Sequence, residues 1–386
     1  MDRMSESLSY KLRKVARYLM VYGASRTLAK IRGQYHMQRK YAAPPTPTPR
    51  RRPAGSIGVG VIGCGAFTYT QIAQFLRQKV GAVIVGCMDV DQDRAASICL
   101  DYGATYYTTD ADRVISDPDI ALIYIASNHA SHAEYAIAAL KAGKAVHIEK
   151  PHVVSLDQLK RLCRAMQESD RMVRLGFNRP NSRLGRILAK AVEAENSPMV
   201  MNWFVVGHQL PSDHWYNQKG EGSRVLGNLS HWTDFMLRMI PSERRYPIRI
   251  VPTRGEQVDC NIAVTYIFGD GSVGAITFSA MGQAFEGVRE RLSINCGNLM
   301  GLIVDFQVFH FERLAEKRTF RNFYRNHGHV ESILNSYHEA ASGAPRPAGQ
   351  LKYVWETGEL MLQTMEALMQ DREMQVTRFS AEKLED

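Results

Sequence analysis

The stretch 57–70, IGVGVIGCGAFTYT, limits what this chain can become more than any other part of it. Gly58-Val59-Gly60-Val61-Ile62 is a short β-branched run suited to a buried strand. Gly63-Cys64-Gly65-Ala66-Phe67 follows at once, and a helix is predicted over 71–78. Strand, glycine turn and helix in that order form the start of a dinucleotide-binding unit. The first glycine permits the tight turn, the second lets a pyrophosphate approach the backbone, and the helix N-terminus offers N–H donors to the anion. Thr68 stands where the third glycine of G-x-G-x-x-G would be, and its bulk bears on how closely helix can lie on strand. Taken alone, the loop also fits a glycine-rich turn with no ligand.

A second strand, predicted over 82–88, ends in Asp89, about 24 residues past Gly65. That is near the spacing of the acid that takes the adenosine ribose hydroxyls. A carboxylate there accepts from a 2′-hydroxyl and repels a 2′-phosphate, so NAD is expected rather than NADP. Asp91 and Asp93 read as a solvated turn. Next come a helix at 94–102, a short strand at 104–107, a helix at 110–116 and an apolar strand at 120–126. Ser131-His132-Ala133-Glu134 reads as a capping box for a helix ending near Gly143. A fifth strand at 145–148 delivers Glu149-Lys150-Pro151. This alternation gives an open parallel sheet with ligands at the strand carboxyl ends, where Ser127, Asn128 and Lys150 fall.

From residue 199 the pattern changes to successive strands, at 199–207, 248–254, 259–268, 273–280, 290–295 and 299–306, several joined by short turns. They predict a second, α+β domain with an open, mostly antiparallel sheet, closed by helices at 330–342 and 350–369. The expected fold class is therefore α/β with an added α+β domain.

The net charge of +9 is unevenly spread: residues 1–53 hold thirteen Lys and Arg against two acids, a net of +11, which leaves −2 for residues 54–386. A body with that balance gives no reason to expect nucleic acid as a partner. In the basic segment, Leu8, Leu12, Val15, Leu19 and Tyr22 recur at helical spacing between Lys11, Arg13, Lys14 and Arg17. Leu28, Ile31 and Tyr35 continue the pattern beyond a break at Gly23. Two readings stay open: attachment to an anionic membrane surface or a partner, and packing on the chain's own body or a neighbouring subunit. The sequence AAPPTPTPRRRP at 42–53 reads as an extended linker separating this segment from the body.

Six cysteines, Cys64, Cys87, Cys99, Cys163, Cys260 and Cys296, form no C-x-x-C pair. Reduced thiols and a cytoplasmic location are expected, with peripheral attachment at the inner face of the membrane if the basic helix binds lipid. His129, His132, His147 and His152 show no metal-ligand spacing, so no metal is expected. No apolar run reaches the length of a membrane span.

With these parts in order, residues 56–370 resemble the Gfo/Idh/MocA family of oxidoreductases. The resemblance rests on VGVIGCGAF at the first turn, HASHAEYAIAALKAGKAVHIEKP at 129–151 and GNLSHWTDF at 227–235. GFNRPNSRLGR at 176–186 and DHWYNQKGEGSRVLGN at 213–228 are similar to a branch found among proteins of bacterial surface-glycan synthesis. The resemblance implies a Rossmann NAD-binding domain at 56–176 and a substrate and oligomerisation domain at 177–386, with the active site between them. It leaves 1–41 as a helical extension and 42–55 as a linker. It implies oxidation of a sugar, cyclitol or nucleotide-sugar hydroxyl, in a homo-oligomer paired through the open sheet. Carried over by position, Gly63, Gly65, Ala66 and Phe67 hold the pyrophosphate and Asp89 the adenosine ribose. Ser127, Asn128 and Glu149 line the cofactor, Lys150 meets the nicotinamide ribose and the reacting hydroxyl, and His231 matches the catalytic histidine.

Alcohol oxidation sends a hydride to nicotinamide and a proton to a base, beside a cation that steadies the developing alkoxide. His231 suits the base and Lys150 the cation. A surface lysine and a core histidine are the alternatives. The acid usual four residues before the histidine is Gly227 here, with Asn228 beside it and Asp234 as the available substitute. Asn178, Arg179, Arg183 and Arg224 fall on segments expected to face substrate, and His214, Trp215 and Tyr216 form a cluster suited to stacking on a sugar. Because of Gly227, a cofactor-binding scaffold without turnover is a rival reading; an NAD-dependent glycoside hydrolase is another.

Overall fold

The computed structural model describes residues 7–210, 213–255, 261–283 and 285–384. Asp259 and Cys260, at the start of one predicted strand, lie outside the described residues. The chain divides into two compact units, one built from Ser25–Gly176 and His329–Trp355 with the chain from Leu384, the other from Phe177–Gly328 and Glu356–Lys383 with the chain up to Ala24.

In the first unit, six strands form one parallel sheet: β1 (Val59–Ile62), β2 (Ile84–Met88), β3 (Tyr106–Thr108), β4 (Leu122–Ile125), β5 (Ala145–Ile148) and β6 (Val173–Leu175). Their order is β3-β2-β1-β4-β5-β6, so the winding reverses between β1 and β4. Every residue of β1, β2, β4 and β5 is buried, which is why they read as unbroken apolar runs and not as alternating ones. Three-residue β6 is too short to leave such a signal.

The helices α2 (Gln74–Lys79), α3 (Gln92–Tyr102), α4 (Ala111–Ile115), α5 (His129–Lys141) and α6 (Leu156–Gln167) alternate with these strands. Asp91 is more than a solvated turn, since its carboxylate accepts from the amides of Asp93 and Arg94 and caps α3. The predicted capping box is corrected: α5 begins at His129 behind Asn128, which places Ser131 inside its first turn, and Glu134 pairs with Arg161 at 2.6 Å. Helix α9 (His329–Ala341) belongs to this unit, whereas the sequence reading put it on the second sheet. Tyr124 Oη donates to the Ile333 carbonyl at 2.7 Å, and His147 Nδ1 lies 2.7 Å from Ser336 Oγ.

The extension is a helix, α1 (Leu8–His36), interrupted at Gly23 where φ is 81°. After the break it packs tightly on the first unit: a Cβ at Gly33 would lie 2.5 Å from Thr70 Cγ2, and Thr27, Ala29 and His36 are buried. The proline-rich stretch is docked as well, contrary to its expected role as a separating linker. An extended backbone keeps its polar groups free for external partners. Here the Arg50 amide donates to the Gly103 carbonyl at 3.0 Å, and Tyr107 Oη donates to the Pro45 carbonyl at 2.8 Å.

The second unit holds a nine-stranded sheet ordered β14-β13-β12-β11-β7-β10-β9-β8-β15. Its strands are β7 (Met199–His208), β8 (Ile248–Arg254), β9 (Asn261–Ile267), β10 (Val273–Gly282), β11 (Arg289–Cys296), β12 (Leu299–Val304), β13 (Val308–Arg313), β14 (Glu316–Arg321) and β15 (Met374–Val376). Among the described residues only the β7–β10 pair of this sheet is parallel. The β13–β14 hairpin escapes sequence reading because EKRTFR is almost wholly exposed and charged. Alternate residues of β7 split between two faces: Met201, Trp203 and Val205 join a core with Leu188 of α7 (Arg183–Glu195), Phe235 of α8 (Ser230–Met239) and Leu368 of α10 (Gln350–Gln370). Val200 and Phe204 point the other way, 54% and 52% exposed.

Within this unit one of the buried carboxylates, Glu290, holds an inward position of β11. Arg179 Nε donates to its Oε2 at 2.7 Å, Trp232 Nε1 donates to the same oxygen at 2.7 Å, and His327 Nε2 lies 3.1 Å from Oε1. Burial alone would raise the Glu290 pKa; Arg179 first and His327 second outweigh it and hold the group well below its ordinary 4.5. Burial lowers the His327 pKa, so the countercharge of Glu290 is Arg179. A carboxyl whose pKa falls on folding adds stability that is complete above the unfolded value and fades as the pH drops below about 4.5. Glu290→Gln leaves a guanidinium buried without its partner and should cost about 3 kcal/mol or more. Urea unfolding of the variant between about pH 3 and pH 7 should also show a flatter acid limb than wild type.

Candidate cofactor loop and histidine helix

In the first unit, the reversal of winding opens a crevice at the carboxyl ends of β1 and β4, and Gly63 sits at its floor. Its φ is +90°, and a Cβ there would come within 2.4 Å of the Ala126 carbonyl carbon and the Ser127 nitrogen. Only glycine fits. Gly65 differs, because a Cβ on it would meet nothing within 4 Å. The loop therefore combines a backbone-on-backbone contact at its first glycine with open space at its second, the combination a pyrophosphate needs.

The helix after the loop starts at once with Ala66 and Phe67 and runs through a π-helical stretch, Thr68–Ala73, before α2. The prediction of a start at residue 71 is thus late, since β-branched Thr68 and Thr70 hid the first turns. Both threonines are satisfied inside the helix: Thr68 Oγ1 donates to the Gly63 carbonyl and Thr70 Oγ1 to the Ala66 carbonyl at 2.7 Å. Thr68 thereby closes the turn from within.

Asp89, at the end of β2, is buried beside the loop. Its Oδ2 accepts from the Cys64 amide at 2.7 Å, and its Oδ1 accepts from the Asp91 amide at 2.9 Å. Each oxygen keeps a second lone pair, which two vicinal hydroxyls could use.

At the next strand ends, Ser127 Oγ lies 2.7 Å from Ser131 Oγ, and Asn128 Oδ1 accepts from Ser131 Oγ at 2.6 Å. Lys150 is half-buried after β5, in a cis peptide with Pro151. Glu149 turns inward, with Oε1 3.3 Å from His147 Nε2 and its carboxyl filling the space beside Gly176. Its carboxyl, expected from the sequence along the cofactor, is buried here. His132, which sequence reasoning weighed only as a metal ligand, ties the two loops together. Its Nδ1 lies 2.7 Å from the Pro151 carbonyl and its Nε2 3.1 Å from the Ser127 carbonyl, and burial lowers its pKa. Its spacing within HASHAE carried the signal, but not the partners.

In the second unit, a π-helical stretch, Val225–Leu229, leads into α8 and contains buried Gly227 and half-buried Asn228. His231 is half-buried on the first turn of α8, edge-on to Phe177 at 5.9 Å. Asp234 is fully buried and ion-paired with Arg238 at 3.1 Å. Arg179 and Arg224, expected at substrate, are core residues. The first is committed to Glu290 and lies 4.9 Å from the Trp232 ring; the second donates to the His208 carbonyl and lies 6.0 Å from the Phe278 ring. Asn178 is buried and donates to the His327 carbonyl at 2.7 Å. Arg183 is exposed and reaches the Arg321 carbonyl at 3.2 Å. His214, Trp215 and Tyr216 do cluster, with Trp215 and Tyr216 edge to face at 4.4 Å and Trp215 37% exposed.

Comparison with known proteins accords with this picture. Residues 57–177 match the model of the GFO_IDH_MocA oxidoreductase family, described as an NAD-binding Rossmann fold. Inositol 2-dehydrogenase of Pseudomonas syringae pv. syringae is 33% identical over 162 residues, which are 41% of this chain and 47% of that protein. Inositol 2-dehydrogenase 3 of Saccharopolyspora erythraea is 38% identical over 125 residues, 32% of this chain and 37% of the relative. The chain thus spans less than half the length of the curated relatives it matches. In fold, levoglucosan dehydrogenase solved with NADH superimposes with a TM-score of 0.72 at 14% identity, over 84% of this chain and 100% of that one. A probable dehydrogenase from Thermotoga maritima gives 0.67 at 22% identity, over 83% and 98%. The residues that match the Gfo/Idh/MocA oxidoreductase family, 57–177, are those that carry the glycine loop at the β1–β4 reversal.

Proposed function

We propose that this protein is an NAD-dependent oxidoreductase that moves a hydride between a hydroxyl of a sugar, cyclitol or nucleotide sugar and the nicotinamide. The observation that carries the proposal is the Gly63–Gly65 cradle, closed to any side chain at one glycine and open at the other. NAD, when bound, supplies the hydride acceptor. Gly65, Ala66 and Phe67 present the helix N-terminus to the pyrophosphate, and Asp89 accepts from the ribose hydroxyls, which favours NAD over NADP. Lys150, at the end of β5 next to Pro151, whose carbonyl the His132 clip holds, steadies negative charge on the reacting oxygen. His231 takes the proton. Trp215, Tyr216 and Asn228 are assigned to substrate. The names of the inositol 2-dehydrogenase relatives favour a cyclitol.

Two further assignments belong to the same reading. Before Gly23, α1 turns Leu8, Leu12, Leu19 and Met20 outward, 72%, 62%, 42% and 63% exposed, with basic Arg13 exposed beside them. Among the described residues no helix is long and apolar enough to cross a membrane. We assign this stripe to peripheral attachment at an anionic lipid surface, where apolar side chains enter and basic ones meet headgroups. The exposed face of the second sheet, with Val200, Phe204 and Met300, is assigned to pairing with another copy.

The decisive assay is NADH formation over a panel of cyclitols, sugars and nucleotide sugars, with Lys150→Met and His231→Ala compared with wild type after each is shown to fold and bind NAD. Turnover should drop about 100-fold or more in both variants. Unchanged turnover would remove both assignments. NAD bound without turnover on any compound would favour the scaffold reading, and sugar release without NADH accumulation the hydrolase. Full-length protein should float with vesicles containing phosphatidylglycerol, and Leu8→Glu with Leu12→Glu should abolish this; absence of flotation in wild type rejects lipid attachment. Sedimentation should give a dimer or larger, and a monomer at micromolar concentration would reject the pairing.

A further inference from the structure

Thr27, Ala29 and Gly33 press the second half of α1 against the first unit, and they bring its last residue, His36, to the cofactor loop. The imidazole is 1% exposed. Its Nε2 lies 2.8 Å from the Cys64 carbonyl, between the two glycines, and its Nδ1 lies 2.9 Å from Ser97 Oγ on α3. The ring stacks on Tyr69 at 4.4 Å with 19° between planes. Tyr69 in turn donates to Asp101 Oδ2 at 2.6 Å, and Arg39, three residues beyond His36, donates to Asp101 Oδ1 at 3.0 Å. One neutral tautomer satisfies the ring: Nε2–H donates to the carbonyl and Nδ1 accepts from the serine hydroxyl.

This contact has a specific consequence for the loop. In a trans peptide the carbonyl and the following N–H point in opposite directions. Holding the Cys64 oxygen therefore sets the direction of the Gly65 N–H. On its other side, the Cys64 amide is held by Asp89 at 2.7 Å. Gly65 itself has open space around it and no side chain to restrict it, so a loop without these two holds would have its peptide free to rotate and would have to be ordered by the ligand.

We infer that His36, from outside the dinucleotide-binding domain proper, is a positioning residue of the cofactor site, which fixes the Cys64–Gly65 peptide so that the Gly65 N–H is presented to the pyrophosphate. The inference rests on the cofactor reading above. It makes the second half of α1 a brace for the loop, while the first half keeps its separate assignment.

The test is the dissociation constant of NADH for the full chain, with competition by ADP-ribose and by adenosine, in wild type, His36→Phe and His36→Gln. Phenylalanine keeps the stack on Tyr69 and removes the hydrogen bond; glutamine offers an amide donor. His36→Phe should weaken NADH and ADP-ribose about tenfold, the worth of one hydrogen bond, and leave adenosine, which has no pyrophosphate, unaffected. His36→Gln should recover part of the loss. A folded His36→Phe protein whose NADH affinity stays within about twofold of wild type overturns the inference, as does an equal loss for adenosine, which would mark a general distortion of the domain. If His36→Phe does not fold, Ser97→Ala frees the ring at Nδ1 and should weaken NADH about threefold with adenosine unchanged, and equal binding of NADH overturns the inference in that form. Wild type that binds no NADH rejects the cofactor reading itself, a result distinct from these.

Discussion

The first unit depends on one close approach, the backbone of Gly63 against the backbone of Ala126 and Ser127. Two parallel strands that lead their chains to opposite sides of a sheet must part at their carboxyl ends, and a side chain at this point would hold them apart at the wrong distance. With glycine, β1 and β4 run on together long enough for their following loops to share one crevice. The Thr68 hydroxyl, the Asp89 carboxylate and the His132 ring each secure a different segment around that crevice. All three bond to main-chain atoms. The loop conformations are therefore set by hydrogen bonds whose partners are independent of side-chain identity on the other side, which explains how a histidine and a threonine can do work here that the glycine pattern does not announce.

The second unit solves a different problem. Its helix α8 must carry a polar residue, His231, at the edge of a core rich in Trp, Phe and Met, beside the buried carboxylate of Glu290. Burial of Glu290 is tolerated because a guanidinium, an indole N–H and an imidazole converge on it. Trp232 neighbours His231 in sequence, so the same carboxylate that neutralises Arg179 also fixes the side chain next to the candidate base.

What was legible in the sequence follows the range of the interactions involved. Strands β1, β2, β4 and β5 announced themselves because burial on both faces demands an apolar run, and the glycine loop because close backbone approach demands absent side chains. Both are local requirements. The role of Arg179 was not local: its partner Glu290 lies 111 residues away, so the arginine looked available for substrate. A visible sign was present in RERLSIN, where a glutamate occupies an inward position of an alternating strand. Helix α9 was assigned to the wrong sheet because periodicity shows that a helix has an apolar face and not which surface that face meets. The extension was legible as an amphipathic helix with a break at Gly23, but apolar spacing did not show which positions pack on the chain: Leu8 and Leu12 are exposed, whereas Val21 and Ala29 are buried. Only packing tells them apart.

The Glu290 cluster also bears on how sequences related to this one can diverge. Two donors, Arg179 and Trp232, share the buried Glu290 carboxylate beside the His327 ring, so loss of the carboxylate strands a cation, and loss of the cation strands the carboxylate. Neither intermediate is a comfortable stopping point. Positions 179 and 290 are therefore expected to change together, for a neutral pair of matching volume, and not one at a time. Because Trp232, next to the candidate base, donates to the same carboxylate, such an exchange would also leave its indole N–H without that acceptor.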